Sequence, residues 1–148
     1  MIHSDQQARK DAILREDREC WGKLVAALDA HPSGSVNSPG TPVWTSRDVY
    51  AHLSRWMDFN IHAIGELTAG KRFPKLAQTT DEINNVWQIE DSRLTLAEAR
   101  ARAHASYEKW MRTLDALPAG QLTGIIERIV LAGGTEHYLE HLGYMGEK

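Results

Sequence analysis

The sequence predicts an all-α fold: a four-helix bundle in an up-down-down-up order, with a long crossover carrying a short helix between helices two and three. Three observations lead there. Four long segments repeat apolar residues at the 3.6-residue period of one helix face. Breaks bearing Pro and Gly separate the first segment from the second and the third from the fourth. Residues 71–93 separate the second from the third. A short loop makes its two helices antiparallel neighbours, whereas the long connection lets helix three run parallel to helix two.

Helix one is expected from about Asp5 to His31, with Ser4 as N-cap and Gln7 three residues later as its capping-box partner. Ile13, Leu14, Cys20, Trp21, Leu24 and Leu28 form its apolar stripe, and Arg15, Glu16, Arg18, Glu19 and Lys23 face away. Pro32 and the Ser/Gly/Pro-rich run 33–42 end it in a loop. Helix two begins at Thr45, capped with Asp48, and Trp44 and Val49 form a hydrophobic staple across the cap. Val49, Leu53, Trp56, Phe59, Ala63 and Leu67 make its stripe, which ends near Gly70. His52 falls inside that stripe at 100° per residue and His62 falls outside it.

The crossover carries a short helix, Asp81 to Glu90, with Ile83, Val86 and Trp87 on its apolar side. Helix three spans about Thr95 to Leu117, opened by a Thr95–Glu98 capping box. Leu96, Ala99, Ala103, Tyr107, Trp110, Leu114 and Leu117 share one face, with His104 toward its edge. Pro118 and Gly120 turn the chain into helix four, about Gln121 to Leu142. Its inward face starts as Leu122, Ile126, Ile129, Val130 and Gly133 and continues as His137, Glu140 and His141. Gly133 and Gly134 each cost about 1 kcal/mol against Ala in a helix interior. Together they predict close helix approach, or a kink just before the histidines.

Composition bounds the function. A chain of 148 residues fits one domain, 1–148, large enough for a core without disulfides. A net charge of −3 gives no basic footprint for nucleic acid. The lone Cys20 excludes an internal disulfide, suits a reducing cytoplasm, and reads as a small core hydrophobe. The first residues show neither a basic nor an apolar signal-peptide region, and no apolar run reaches membrane-spanning length. The expectation is a cytoplasmic chain with neither nucleic-acid nor membrane partners.

His137 and His141 lie four apart, about 40° around one helix face, so two imidazoles can reach one ion from a single helix. In the up-down-down-up order the start of helix two and the end of helix four share one end of the bundle. His52 then joins them as a three-His site with an open position for water or substrate. Three polar groups on an apolar face break the local pattern, and such breaks mark function. His3, His31, His62 and His104 read as solvated surface groups. The run His137-Tyr-Leu-Glu140-His141 also spells a metalloprotease pattern, His-x-x-Glu-His. That family's third ligand comes well downstream, and only seven residues follow His141.

The run from Trp44-Thr-Ser-Arg-Asp through His52-Leu-Ser-Arg-Trp56, taken with His137-Tyr-Leu-Glu-His141, resembles the DinB-like metal-binding four-helix family. Its relatives include thiol-dependent S-transferases and mycothiol-dependent maleylpyruvate isomerases. The resemblance covers almost the whole chain, since Asp81-Glu-Ile-Asn-Asn-Val-Trp-Gln-Ile-Glu90 is similar to the family's middle stretch. It carries the family's ligands onto His52, His137 and His141, which the helical-face reading selects independently. It implies a divalent metal, commonly zinc or nickel, and often a homodimer; it does not imply one reaction. The extra C-terminal domain of some thiol-dependent isomerases has no room here.

Two functions follow as expectations. In the first, the metal activates a low-molecular-weight thiol or water for transfer to a small electrophilic substrate. Glu140 then serves as general base or further ligand, and Trp56, Trp87 and Tyr138 line the pocket. In the second, the bundle binds metal or a small molecule without turnover, in a stress-related or structural role. Imidazole ligands alone do not choose among Zn, Ni, Cu and Fe.

Overall fold

The computed structural model describes the backbone of residues 2–31 and 44–145, and the side chains from Asp5 onward within them. Among these residues the chain is all-helical. The order is α1 (Ile2–Ala30), α2 (Ser46–Thr68), α3 (Thr80–Asp91), α4 (Leu96–Ala116), a 3-10 turn at Ala119–Gln121, α5 (Gly124–Gly133) and α6 (Thr135–Tyr144). No helix of the described residues is long and apolar enough to cross a membrane.

Local chemistry sets most of the helix starts. Asp48 accepts the Thr45 backbone N–H at 3.0 Å and opens α2, while Trp44 and Val49 are buried in one cluster as a staple requires. Thr79 receives Glu82 N–H at 3.2 Å at the start of α3. At α4, Thr95 and Glu98 exchange both bonds of the predicted box, at 3.1 and 3.2 Å. The first helix departs from expectation: it is already under way at Ile2, so Ser4 lies inside it instead of capping it. The predicted loop 33–42 lies outside the described residues.

Helix α2 packs along α4, α3 lies on α2, α5 rests against α2, and α6 rests against α1. The core divides into two clusters. One joins Trp21, Leu24 and Leu28 to Val49, Leu53, Ala99, Ala103, Tyr138 and Leu142. The other joins Leu14 to Ile64, Trp110, Leu114, Leu122 and Val130. Every predicted stripe residue of α4 from Ala99 to Leu117 is buried.

Two expectations need correction. The predicted fourth helix is two helices, broken at Gly134, where a Cβ would sit 2.3 Å from the Asp17 carboxylate and 2.8 Å from the Val130 carbonyl. The apolar side of α3 is narrower than its sequence suggests. Ile83 is buried, but Val86 is 38% exposed. What ties α3 down is polar: Trp56 Nε1 donates to Asn84 Oδ1 at 2.7 Å, and Arg55 grips Asp91 at 2.9 and 3.1 Å and Glu90 at 3.0 Å.

Candidate metal centre

His52 stands in the second turn of α2 and His137 and His141 stand one turn apart on α6. Their rings converge. His137 Nε2 lies 3.1 Å from His52 Nε2 and 3.1 Å from His141 Nε2, with ring centroids 4.8–5.1 Å apart. Trp44 meets the edge of His52 at 5.1 Å, and Tyr144 stands perpendicular to His141 at 5.7 Å. Among the described residues this is the group of His, Cys, Asp or Glu side chains whose ligand atoms come within reach of one ion.

Desolvation governs the charge state of the trio: the His141 side chain is buried, and His52 and His137 are half-buried with their rings packed among neighbours. It holds His52 and His141 well below the ordinary imidazole range, and their histidine neighbours add to the effect. Burial likewise brings His137 down to about 4, against a small opposing pull from Glu140. All three are therefore neutral at pH 7, the form in which imidazole ligates a metal.

The donor set fits a divalent ion. A ring nitrogen has one in-plane orbital, so His137 Nε2 cannot make two well-aligned hydrogen bonds to two other ring nitrogens at once. One cation takes all three lone pairs together. All three ligand atoms lie within 4.8 Å of one another, and a pair 3.1 Å apart with each nitrogen about 2.0–2.1 Å from a common ion subtends roughly 100° at it, as His137 does with each of the others. One feature departs from the usual outer shell: His141 Nδ1 is buried and meets no hydrogen-bond partner among the described residues.

A cavity of about 900 Å³ opens onto the three rings. Trp44, Trp56 and Phe73 form its apolar wall, and Asn60, Asn84 and Glu140 contribute polar groups. Gly133 makes room for Asn60: a Cβ there would meet the Asn60 amide nitrogen at 2.5 Å. The Glu140 carboxylate is exposed on the cavity wall and accepts the Tyr144 hydroxyl, and it stands outside the cluster of converging ligand atoms.

The predicted site residues separate into three groups. His52, His137 and His141 meet, and Trp56 and Glu140 line the adjoining cavity. Trp87 lies behind Trp56, ring to ring at 4.9 Å, and borders a narrow crevice beside His52. Tyr138 is misassigned as a pocket residue. It is fully buried on the face of α6 turned toward α1, edge-on to Trp21 at 5.4 Å, because a residue next to His137 turns about 100° from it. Of the histidines read as surface groups, His31 and His62 are exposed, and His3 has no described side chain. His104 is instead half-buried edge-on to Trp21 at 5.6 Å.

Sequence reasoning missed Asn60, Asn84, Phe73 and Tyr144. Asn60 and Tyr144 carried a signal, eight residues after His52 and three after His141. Phe73 lies in the irregular connection after α2, where no periodicity marks it. Compared with protein-family models, curated proteins and solved structures, the chain has no match.

Proposed function

We propose that His52, His137 and His141 hold one divalent metal ion, zinc or nickel first, in an enzyme that transfers a low-molecular-weight thiol, or water, to a small electrophile in the adjoining cavity. The observation that carries this reading is the double 3.1 Å approach onto His137 Nε2, which a single cation explains and hydrogen bonds do not. The motif likeness to the DinB-like family supports it. So does the first core cluster, which joins the end of α1, the start of α2, the start of α4 and the end of α6. An up-down-down-up bundle brings those four levels together.

When bound, such an ion lowers toward neutrality the pKa of a thiol or water reaching its open position. Three neutral imidazoles leave the ion's charge uncompensated, which favours an anionic nucleophile. Glu140 receives the released proton, its carboxylate steadied by the Tyr144 hydroxyl. Trp44, Trp56 and Phe73 shield the electrophile's carbon skeleton from water. The Trp56 indole takes the Asn84 carbonyl oxygen, so the Asn84 NH₂ is the group offered to a ligand. The same reading takes the protein as a cytoplasmic homodimer. Ile89 and Val86, exposed on α3, are the apolar groups that a subunit contact would cover.

Metal analysis of purified protein, joined to a panel of thiols with small electrophiles, tests the reading. One equivalent of metal per chain and thiol-dependent turnover are expected, with both lost in His52→Ala. Stoichiometric metal retained by that variant would sink the site. Metal without turnover would leave a binding module, and turnover without thiol would make water the nucleophile.

A further inference from the structure

Helix α6 carries two of the three histidines, yet it rests mainly on α1 and not on α2, which carries His52. Whatever sets α6 against α1 therefore sets where His137 and His141 meet His52. At the head of that contact stands a polar residue. Asp17 occupies the interior series Leu14, Asp17, Trp21, Leu24 and Leu28 of α1, spaced three and four apart, and is only 1% exposed.

Its carboxylate fills the break between α5 and α6. A Cβ on Gly134 would fall 2.3 Å from Asp17 Oδ2. The same oxygen accepts Trp110 Nε1–H at 3.0 Å. Asp17 Oδ1 and the Tyr138 hydroxyl are both buried and face each other; among the described residues neither has a partner of good hydrogen-bond geometry, yet the hydroxyl lies near enough to pull against the burial that raises the Asp17 carboxyl. Trp110 belongs to one core cluster and Tyr138 to the other, so the carboxylate forms a polar layer between them. An acid in that position costs folding free energy that an apolar side chain of similar size would not. One well-attested use of such a group is to fix the register of packed helices.

We infer that Asp17 is a positioning residue for the three-histidine site: anchored by Trp110 and seated in the α5–α6 break, its carboxylate fixes the setting of α6 and so delivers His137 and His141 to His52. The inference rests on the proposed metal site, and the test separates the two.

Asp17→Leu and Asp17→Asn are compared with the unaltered chain in three measurements. These are thermal unfolding, Zn(II) and Ni(II) affinity by competition with a chromophoric chelator, and ring-proton NOEs between His52 and the α6 histidines in metal-free protein. Asp17→Leu should fold at least as stably, bind metal about tenfold more weakly or worse, as when the support of a ligating ring is lost, and lose the NOEs. Asp17→Asn, which keeps the shape and the acceptor for Trp110, should stay within about threefold of the unaltered affinity, a rescue that follows from the acceptor geometry. A folded Asp17→Leu with unaltered affinity and NOEs would overturn the inference. If the unaltered chain binds neither ion, the metal reading fails and the NOEs still decide the role of Asp17. If Asp17→Leu does not fold, Trp110→Phe decides: loss of the NOEs supports the role, and retention overturns it.

Discussion

Each of the three converging imidazoles is held neutral by burial, and that has a sign. Their folded pKa values lie below the roughly 6.5 of an exposed histidine. Above pH 6.5 both folded and unfolded chains are neutral at these sites, so that stability is fully present. Below it the unfolded chain binds protons that the folded chain refuses, and stability falls as pH drops toward the His137 value of about 4. Asp17 acts oppositely. Burial raises its carboxyl to about 6, so its contribution falls as pH rises from about 4 to 6. With three groups against one, metal-free protein should melt several degrees lower at pH 5 than at pH 7.5 in calorimetry. An unchanged midpoint would contradict the desolvation of the three rings. A second residue-scale prediction concerns Gly133→Ala, whose new methyl meets the Asn60 amide. It should cost about 1–3 kcal/mol in urea unfolding, and Asn60→Ala in the same chain should return most of that loss. The histidines were legible because their spacing placed them on apolar faces. Asp17 was equally legible by spacing and was missed because an acid is read as outward by default.

Helix positions followed from stripes and caps, and α2 and α4 lie within one or two residues of expectation. The broken last helix was legible only as a pair of glycines. The spacing alone could not choose a close approach over a kink. Both occur: Gly133 admits Asn60 from α2, and Gly134 admits Asp17 from α1. Helix α4 ends on a long-range cap that no local motif announces. Lys10 of α1, largely buried, donates its Nζ to the carbonyls of Asp115 at 2.6 Å and Leu117 at 2.8 Å. These are orphan groups at a helix C-terminus, where a cation is also favoured by the helix dipole. Lys10→Met should therefore lower the urea-unfolding free energy by about 1–3 kcal/mol, leaving metal affinity unchanged. A loss of metal affinity in step with stability would place Lys10 in the site's support.

For the whole molecule, the division of the core matters most. Two apolar clusters meet at the Asp17 layer, and the histidines gather beside the cluster holding Leu53 and Leu142. Helix α3 stands apart from both arrangements. Ile83 is its one buried apolar side chain, and its hold on α2 runs through Arg55 and the Trp56–Asn84 bond. Local opening begins where buried apolar contacts are few. Backbone amides of α3 should exchange with deuterium sooner than those of α2 or α4, and Arg55→Ala should speed that exchange selectively. Uniform exchange across the three helices would show α3 to be integral to the core.

The cage and the wall of its chamber thus rest on different supports. The histidines are set by α2 and α6, whereas Asn84 and Trp87 ride on the lightly fastened α3. Substitutions on the inner side of α3 would alter the cavity's shape while the three converging histidines stay in place. Sequence change on α3 can therefore reshape the cavity at little cost to the three-histidine cluster.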